Sequence, residues 1–123
     1  MIHAVHTVVH SRQPDAVRAF FRDILDLRSV DAGRGWLIFA LPPAELAVHP
    51  TTDGPARHQL YLMCDDIGAT VAELQSKGVE FTQPVKDAGW GLLTALRMPD
   101  GEELSLYQPR HASPIPGVTP DAG

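Results

Sequence analysis

Hydrophobic and polar positions alternate most cleanly over residues 58–66. Leu60, Leu62 and Cys64 share one parity and Gln59, Tyr61 and Met63 the other, which predicts a strand with two unlike faces. The first set suits a packed core. The second suits a ligand cavity, where an apolar wall carries a few polar groups. Asp65 and Asp66 then open a predicted helix with apolar positions Ile67, Val71 and Leu74, ending at Lys77 and Gly78.

The same order of elements is expected earlier in the chain. Residues 2–10 are rich in Val and Thr and predict a first strand, with Val5, Thr7 and Val9 on one face and His6, Val8 and His10 on the other. Ser11 or Gln13 caps the following helix, and Pro14 and Asp15 fall in its first turn, where a missing N–H and a negative charge are tolerated. Val17, Phe20, Phe21 and Ile24 form its apolar stripe. Residues 31–35 signal a turn and residues 36–41 a short strand, after which Pro42 and Pro43 force a bend. Residues 45–49 alternate again, with Leu46 and Val48 on the core parity and Glu45, Ala47 and His49 opposite.

Beyond Gly78, residues 79–81 read as an edge strand and residues 84–91 as a loop carrying Trp90 between two glycines. Residues 92–98 and 102–107 read as strands joined by a hairpin turn at Pro99, Asp100 and Gly101. In the returning strand Leu104 and Leu106 take the core parity, and Glu103, Ser105 and Tyr107 face the other way. Sliding His6 onto Gln59 brings Ala16 onto Ala69 and Phe21 onto Leu74. The expected fold is therefore α+β, with two βαβββ modules at about residues 2–50 and 57–109 inside one domain of residues 1–111. Residues 112–123 hold Pro114, Pro116 and Pro120 and almost nothing to bury, and are expected to form a flexible extension.

Composition narrows the function. The chain of 123 residues suits a single domain with a real core, and its formal net charge of -5 argues against a nucleic-acid surface. No apolar run approaches the ~20 residues of a membrane helix, and the start of the chain lacks the pattern of a secretory leader. With Cys64 alone no internal disulfide can form, so a cytoplasmic location is expected and a buried, inert thiol is the reading for Cys64. There is no phosphate-binding glycine loop, no serine elbow and no alternation of basic and aromatic residues.

The residues His6-Thr7-Val8-Val9, Ala19-Phe20-Phe21-Arg22-Asp23-Ile24-Leu25, Asp65-Asp66-Ile67 through Gly78-Val79-Glu80-Phe81, Trp90-Gly91, and Pro99-Asp100-Gly101 through Gln108-Pro109 carry a family resemblance. Over residues 4–109 the chain resembles the vicinal oxygen chelate superfamily of glyoxalases, bleomycin-resistance proteins and extradiol dioxygenases. The resemblance implies curved mixed sheets around a cleft, helices on the outer face, and a homodimer. In metal-dependent relatives it implies four inward-facing ligand slots, two per module, holding a divalent ion that polarises an oxygen-rich substrate.

Carried onto this chain, the slots fall on His6, on Ala47 or its same-face neighbours His49 and Glu45, on Gln59, and on Ser105. His58 is one residue out of register with the third slot, which on a strand means the opposite face. The metal candidates are His6, His49 and Gln59, a set without a carboxylate, so the expectation is no cofactor, with Zn, Ni, Mn or Fe as the alternative. Two functions follow. One is a metal-free binder of an aromatic or drug-like molecule, contacted by His6, Tyr61, Met63, Ser105 and Tyr107 with Trp36 or Trp90 covering it. The other is a lyase, isomerase or dioxygenase with a divalent ion on His6.

Overall fold

The computed structural model describes residues 6–45, 47 and 58–116. The chain runs through helix α1 (Pro14–Ala19), a π-helical turn (Phe20–Ile24), strands β1 (Ser29–Asp31) and β2 (Leu37–Phe39), strand β3 (Tyr61–Met63), helix α2 (Ile67–Ser76), and strands β4 (Lys86–Asp87), β5 (Gly91–Arg97) and β6 (Glu103–Pro109). β1 and β2 form an antiparallel hairpin. The other four make a mixed sheet in the order β3-β6-β5-β4, with β3 parallel to β6.

The second half forms a complete βαβββ unit in the predicted order of elements, although its first strand after the helix is not the predicted one. Asp66 caps α2 by accepting the Ala69 N–H at 3.1 Å, and the Gln108 side chain on β6 accepts the Ile67 N–H at 2.9 Å. At the other end Val79 N–H reaches Leu74 O and Gly78 N–H reaches Gln75 O, both at 3.0 Å. This Schellman pattern needs a left-handed residue, and Gly78 supplies it at φ +87°. Leu74, Leu96, Met98 and Leu104 from this half meet Val17 and Phe20 of the first helical segment in one core, with Leu96 wholly buried.

The first half departs from its pattern. Residues 6–10 alternate like a strand but form none, and Val8 is 61% exposed. Alternation sets which way side chains point; a ladder also needs backbone pairing, and no described strand pairs with these residues. Residues 2–5 and most of 45–49 lie outside the described residues, and Glu45 and Ala47 are not in a strand. Helix α1 starts at Pro14 with Gln13 as its N-cap and no side-chain cap. Ser11 stays outside the helix, accepting the Gln13 N–H at 3.0 Å and donating its hydroxyl to Asp100 of the distant hairpin turn.

Smaller differences follow from hydrogen bonding. The predicted edge strand at residues 79–81 is reduced to one bridge, Phe81 to Leu96, and the sheet edge is taken by β4, from within the expected loop. The turn at residues 31–35 forms because the Asp31 carboxylate accepts the Gly33 and Gly35 N–H groups, which leaves Ser29 and Val30 free to start β1. The expected extension begins packed: Ser113 donates to Glu45 at 2.7 Å, and half-buried Ile115 donates its N–H to Ser113.

Leu96 sits at the centre of the core shared by both helices and the sheet. Leu96→Ala is expected to lower the unfolding free energy by about 2–5 kcal/mol. Urea unfolding should show a lower midpoint with an unchanged slope.

Candidate functional site

The register of the main sheet places the candidate residues. β3 pairs Tyr61 with Ser105 and Met63 with Tyr107, and β5 pairs Leu93 with Tyr107 and Ala95 with Ser105. Paired residues share a face, so Tyr61, Met63, Ser105 and Tyr107 all point away from the core that holds Leu104 and Leu96. The parity expected from alternation holds over all four.

Trp90 joins this face from the end of the loop before β5. Its ring lies 5.4 Å from Tyr107 and 6.2 Å from Tyr61, and the two tyrosine rings are 5.6 Å apart, all edge to face. Each such pair adds roughly 0.5–1.5 kcal/mol beyond its burial. The cluster depends on Gly91, because a Cβ there would lie 2.9 Å from the Gln108 carbonyl oxygen and 3.2 Å from the Tyr107 ring. Tyr107 is buried, whereas Tyr61, Met63 and Trp90 are half-buried.

Two cavities flank the face. The larger, about 340 Å³, opens where β3 and β6 begin and is lined by Val9, His58, Gln59, Met98, Glu103 and Ser105 among others. It brings together Gln59 and Ser105, which the sequence placed in separate slots. The smaller, about 160 Å³, is lined by Pro42, Pro43, Met63, Cys64, Pro109 and Ile115 among others. Burial pushes the Cys64 thiol up, aided by the charges of Asp65 and Asp66 and opposed by Thr70, so its reactive thiolate is disfavoured.

Beyond Tyr107 lies a polar cluster. The Tyr107 hydroxyl donates to Glu45 Oε1, Ser113 donates to Glu45 Oε2 at 2.7 Å, and His111 Nε2 is 3.4 Å from Glu45 Oε1. Burial alone would raise the Glu45 carboxyl; the hydrogen bonds from Tyr107 and Ser113 and the charge of His111 outweigh it and hold the group below its ordinary value. Burial and the adjacent carboxylate push the Tyr107 phenol well above its ordinary value, so it stays a neutral donor. Sequence reading reached Glu45 only as a neighbour of the second slot and ended the domain at residue 111, which is His111. Ser113 left no signal, because nothing in a proline-rich tail marks one serine as an anchor.

The other expected contacts are dispersed. His6 is exposed and lines neither cavity. Trp36 is 64% exposed on the hairpin, with the Arg18 guanidinium 5.0 Å from its ring centre. His49 lies outside the described residues. Among the described residues no three His, Cys, Asp or Glu side chains gather closely enough to hold a metal ion. The cavity shared by the Gln59 amide and the Ser105 hydroxyl adds one imidazole, His58, and one carboxylate, Glu103, which falls short of the several anionic or imidazole ligands a divalent ion requires.

Comparison with known proteins agrees with this architecture. Residues 3–106 match the model of the Glyoxalase/Bleomycin resistance protein/Dioxygenase superfamily. An antibiotic-binding protein from Streptomyces sp. CB03234, TnmS3, is similar in structure with TM-score 0.65 and 25% identity, over 89% of this chain and 97% of that one. A lactoylglutathione lyase from Agrobacterium tumefaciens shares the fold with TM-score 0.62 and 17% identity, over 85% of this chain and 92% of that one. A superfamily member from Sphaerobacter thermophilus DSM 20745 does so with TM-score 0.59 and 24% identity, over 87% of this chain and 98% of that one. No curated protein matches in sequence. No helix among the described residues is long and apolar enough to cross a membrane.

The Glu45 cluster makes stability depend on pH. A carboxyl held below its usual value of 4.5 contributes stability that is present above that value and lost as pH falls through the lower, folded-state value. Tyr107→Phe is expected to cost about 1.5–3 kcal/mol near neutrality, the worth of a hydrogen bond to a charged group. Urea unfolding should show that cost shrinking in acid; a cost that does not change with pH would contradict the role given to Glu45.

Proposed function

We propose that this chain, which belongs to the Glyoxalase/Bleomycin resistance protein/Dioxygenase superfamily, is a small-molecule-binding protein for an aromatic or drug-like ligand. The observation that carries this reading is the gathering of Tyr61, Trp90 and Tyr107 edge to face on the side of the sheet turned away from the core. The ligand's ring lies against half-buried Tyr61, Met63 and Trp90, while Gln59 and Ser105 at the adjoining cavity offer an amide and a hydroxyl for orientation. Affinity then comes from apolar burial with a few hydrogen bonds, which is the economy of sequestration rather than turnover.

The antibiotic-binding relative at 25% identity supports the same reading. Binding without a metal is part of the proposal, because the described donors do not suit one. The functional unit is taken to be a homodimer in the cytoplasm. Val30 and Trp36 on the β1–β2 hairpin stay largely exposed, as a surface covered by a second copy would.

With two tryptophans in the chain, Trp36→Phe leaves Trp90 as the only indole reporter. In that background 2-naphthylmethanol is expected to change Trp90 fluorescence saturably. Adding Tyr61→Ala should weaken binding by about tenfold, the worth of losing one aromatic contact. Dialysis against EDTA should leave the affinity unchanged. A saturable signal that survives Tyr61→Ala intact, or one that EDTA abolishes, would count against the reading.

A further inference from the structure

The smaller cavity, about 160 Å³, takes no part in the proposed aromatic site beyond sharing Met63 with it. Its wall is poor in hydrogen-bond donors for reasons that lie in the sequence. Pro42, Pro43 and Pro109 carry no backbone N–H. The Cys64 N–H is spent on the Tyr107 carbonyl oxygen at 2.9 Å, and the Ile115 N–H on the Ser113 hydroxyl at 3.2 Å. The side chains of Met63 and Ile115 are apolar, and the Cys64 thiol donates to the same Tyr107 carbonyl at 3.6 Å. Among the described residues Asp65 is the one charged member of the wall, and it is exposed.

Such a wall suits an apolar guest better than water. A buried water wants two to four polar partners, whereas an apolar cavity of about 150 Å³ stays dry and takes a benzene-sized ring. One side is supplied from far along the chain. Half-buried Ile115 is placed by its hydrogen bond to Ser113, Ser113 donates to Glu45 at 2.7 Å, and Glu45 accepts the Tyr107 hydroxyl. Glu45 also follows Pro43 by two residues, so one carboxylate ties the tail to the segment that carries the two prolines. The walls are thus held by polar bonds made outside the cavity, and a guest need not order them. Pro42, Pro43 and Asp65 are exposed, so entry does not require opening the core.

We infer that this cavity is a second binding site, which takes a neutral molecule with a single aromatic ring, about the size of toluene. The guest packs between the proline rings and the Met63 thioether, whose sulfur makes favourable contacts with aromatic ring edges. Ile115 closes over it. The Asp65 carboxylate turns away anions. The site selects by size and by the absence of charge, whereas the sheet face offers an amide and a hydroxyl for orientation.

Toluene and benzoate, added to the full chain, test it through two residues of the wall. The chain holds three methionines, of which Met98 lines the larger cavity and Met63 the smaller. In ¹³C-methyl-methionine NMR, toluene is expected to shift the Met63 methyl saturably and leave Met98 in place. Cys64 is the single cysteine, so its modification by methyl methanethiosulfonate at alkaline pH reports on this wall alone. Toluene at the dissociation constant read from Met63 should slow that reaction about twofold, because mass action leaves half of the sites open. Benzoate should change neither signal. Ile115→Trp, a change in the tail rather than the core, places a ring in the cavity and should abolish both toluene effects. A Met63 methyl that does not move, a shift at Met98 instead, or a Cys64 rate that toluene leaves unchanged would each overturn the assignment. So would an equal effect of benzoate, or an undiminished response in Ile115→Trp.

Discussion

Everything else in the structure hangs on the pairing of β6 between β3 and β5. The strand pairs with β5 along its whole length and with β3 over Ser105 to Tyr107, and successive side chains serve different masters. Leu104 and Leu106 go into the core, and Tyr107 goes to the opposite face. The Gln108 side chain caps α2. A slip of one residue would exchange the faces, putting the tyrosine among the leucines and taking the cap from the helix. The core, the helix and the candidate site therefore depend on one register.

That dependence explains how a small domain couples its two halves. The first half contributes Val17 and Phe20 to a core built mainly by the second. Polar ties reinforce the packing at separate places: Ser11 on the Asp100 turn, Lys77 donating to the Ile24 carbonyl, and Glu45 holding both Tyr107 and Ser113. The last of these also shapes the site. It pins the polar tip of a buried tyrosine whose ring forms the floor under Tyr61 and Trp90, and it brings the chain past His111 back against the domain.

Much of this was legible in the amino-acid pattern. The two faces of β3 and β6 could be read from alternation because the leucines on one parity leave no competing choice. The ends of α2 were marked by Asp66 and Gly78, whose chemistry is local. The first half was harder to read, since the valines and threonines of residues 6–10 announce strand propensity but cannot name a pairing partner. The site was legible where it sits on paired strands, as with Tyr61, Met63, Ser105 and Tyr107. It was not legible where contacts join residues far apart in the chain, as with Glu45, His111 and Ser113. Trp36 carried the same aromatic signal as Trp90, yet only Trp90 has a glycine beside it that lets β5 come close to the Tyr107 ring.

The central claim is that the face of the sheet turned away from the helices is where a small aromatic molecule binds. Backbone amide NMR of the full chain, titrated with 2-naphthylmethanol, addresses it by location. The account predicts shifts that saturate and concentrate in residues 59–63, 90–95 and 105–107. Saturating shifts confined to the β1–β2 hairpin or to the outer surface of α2 would contradict it.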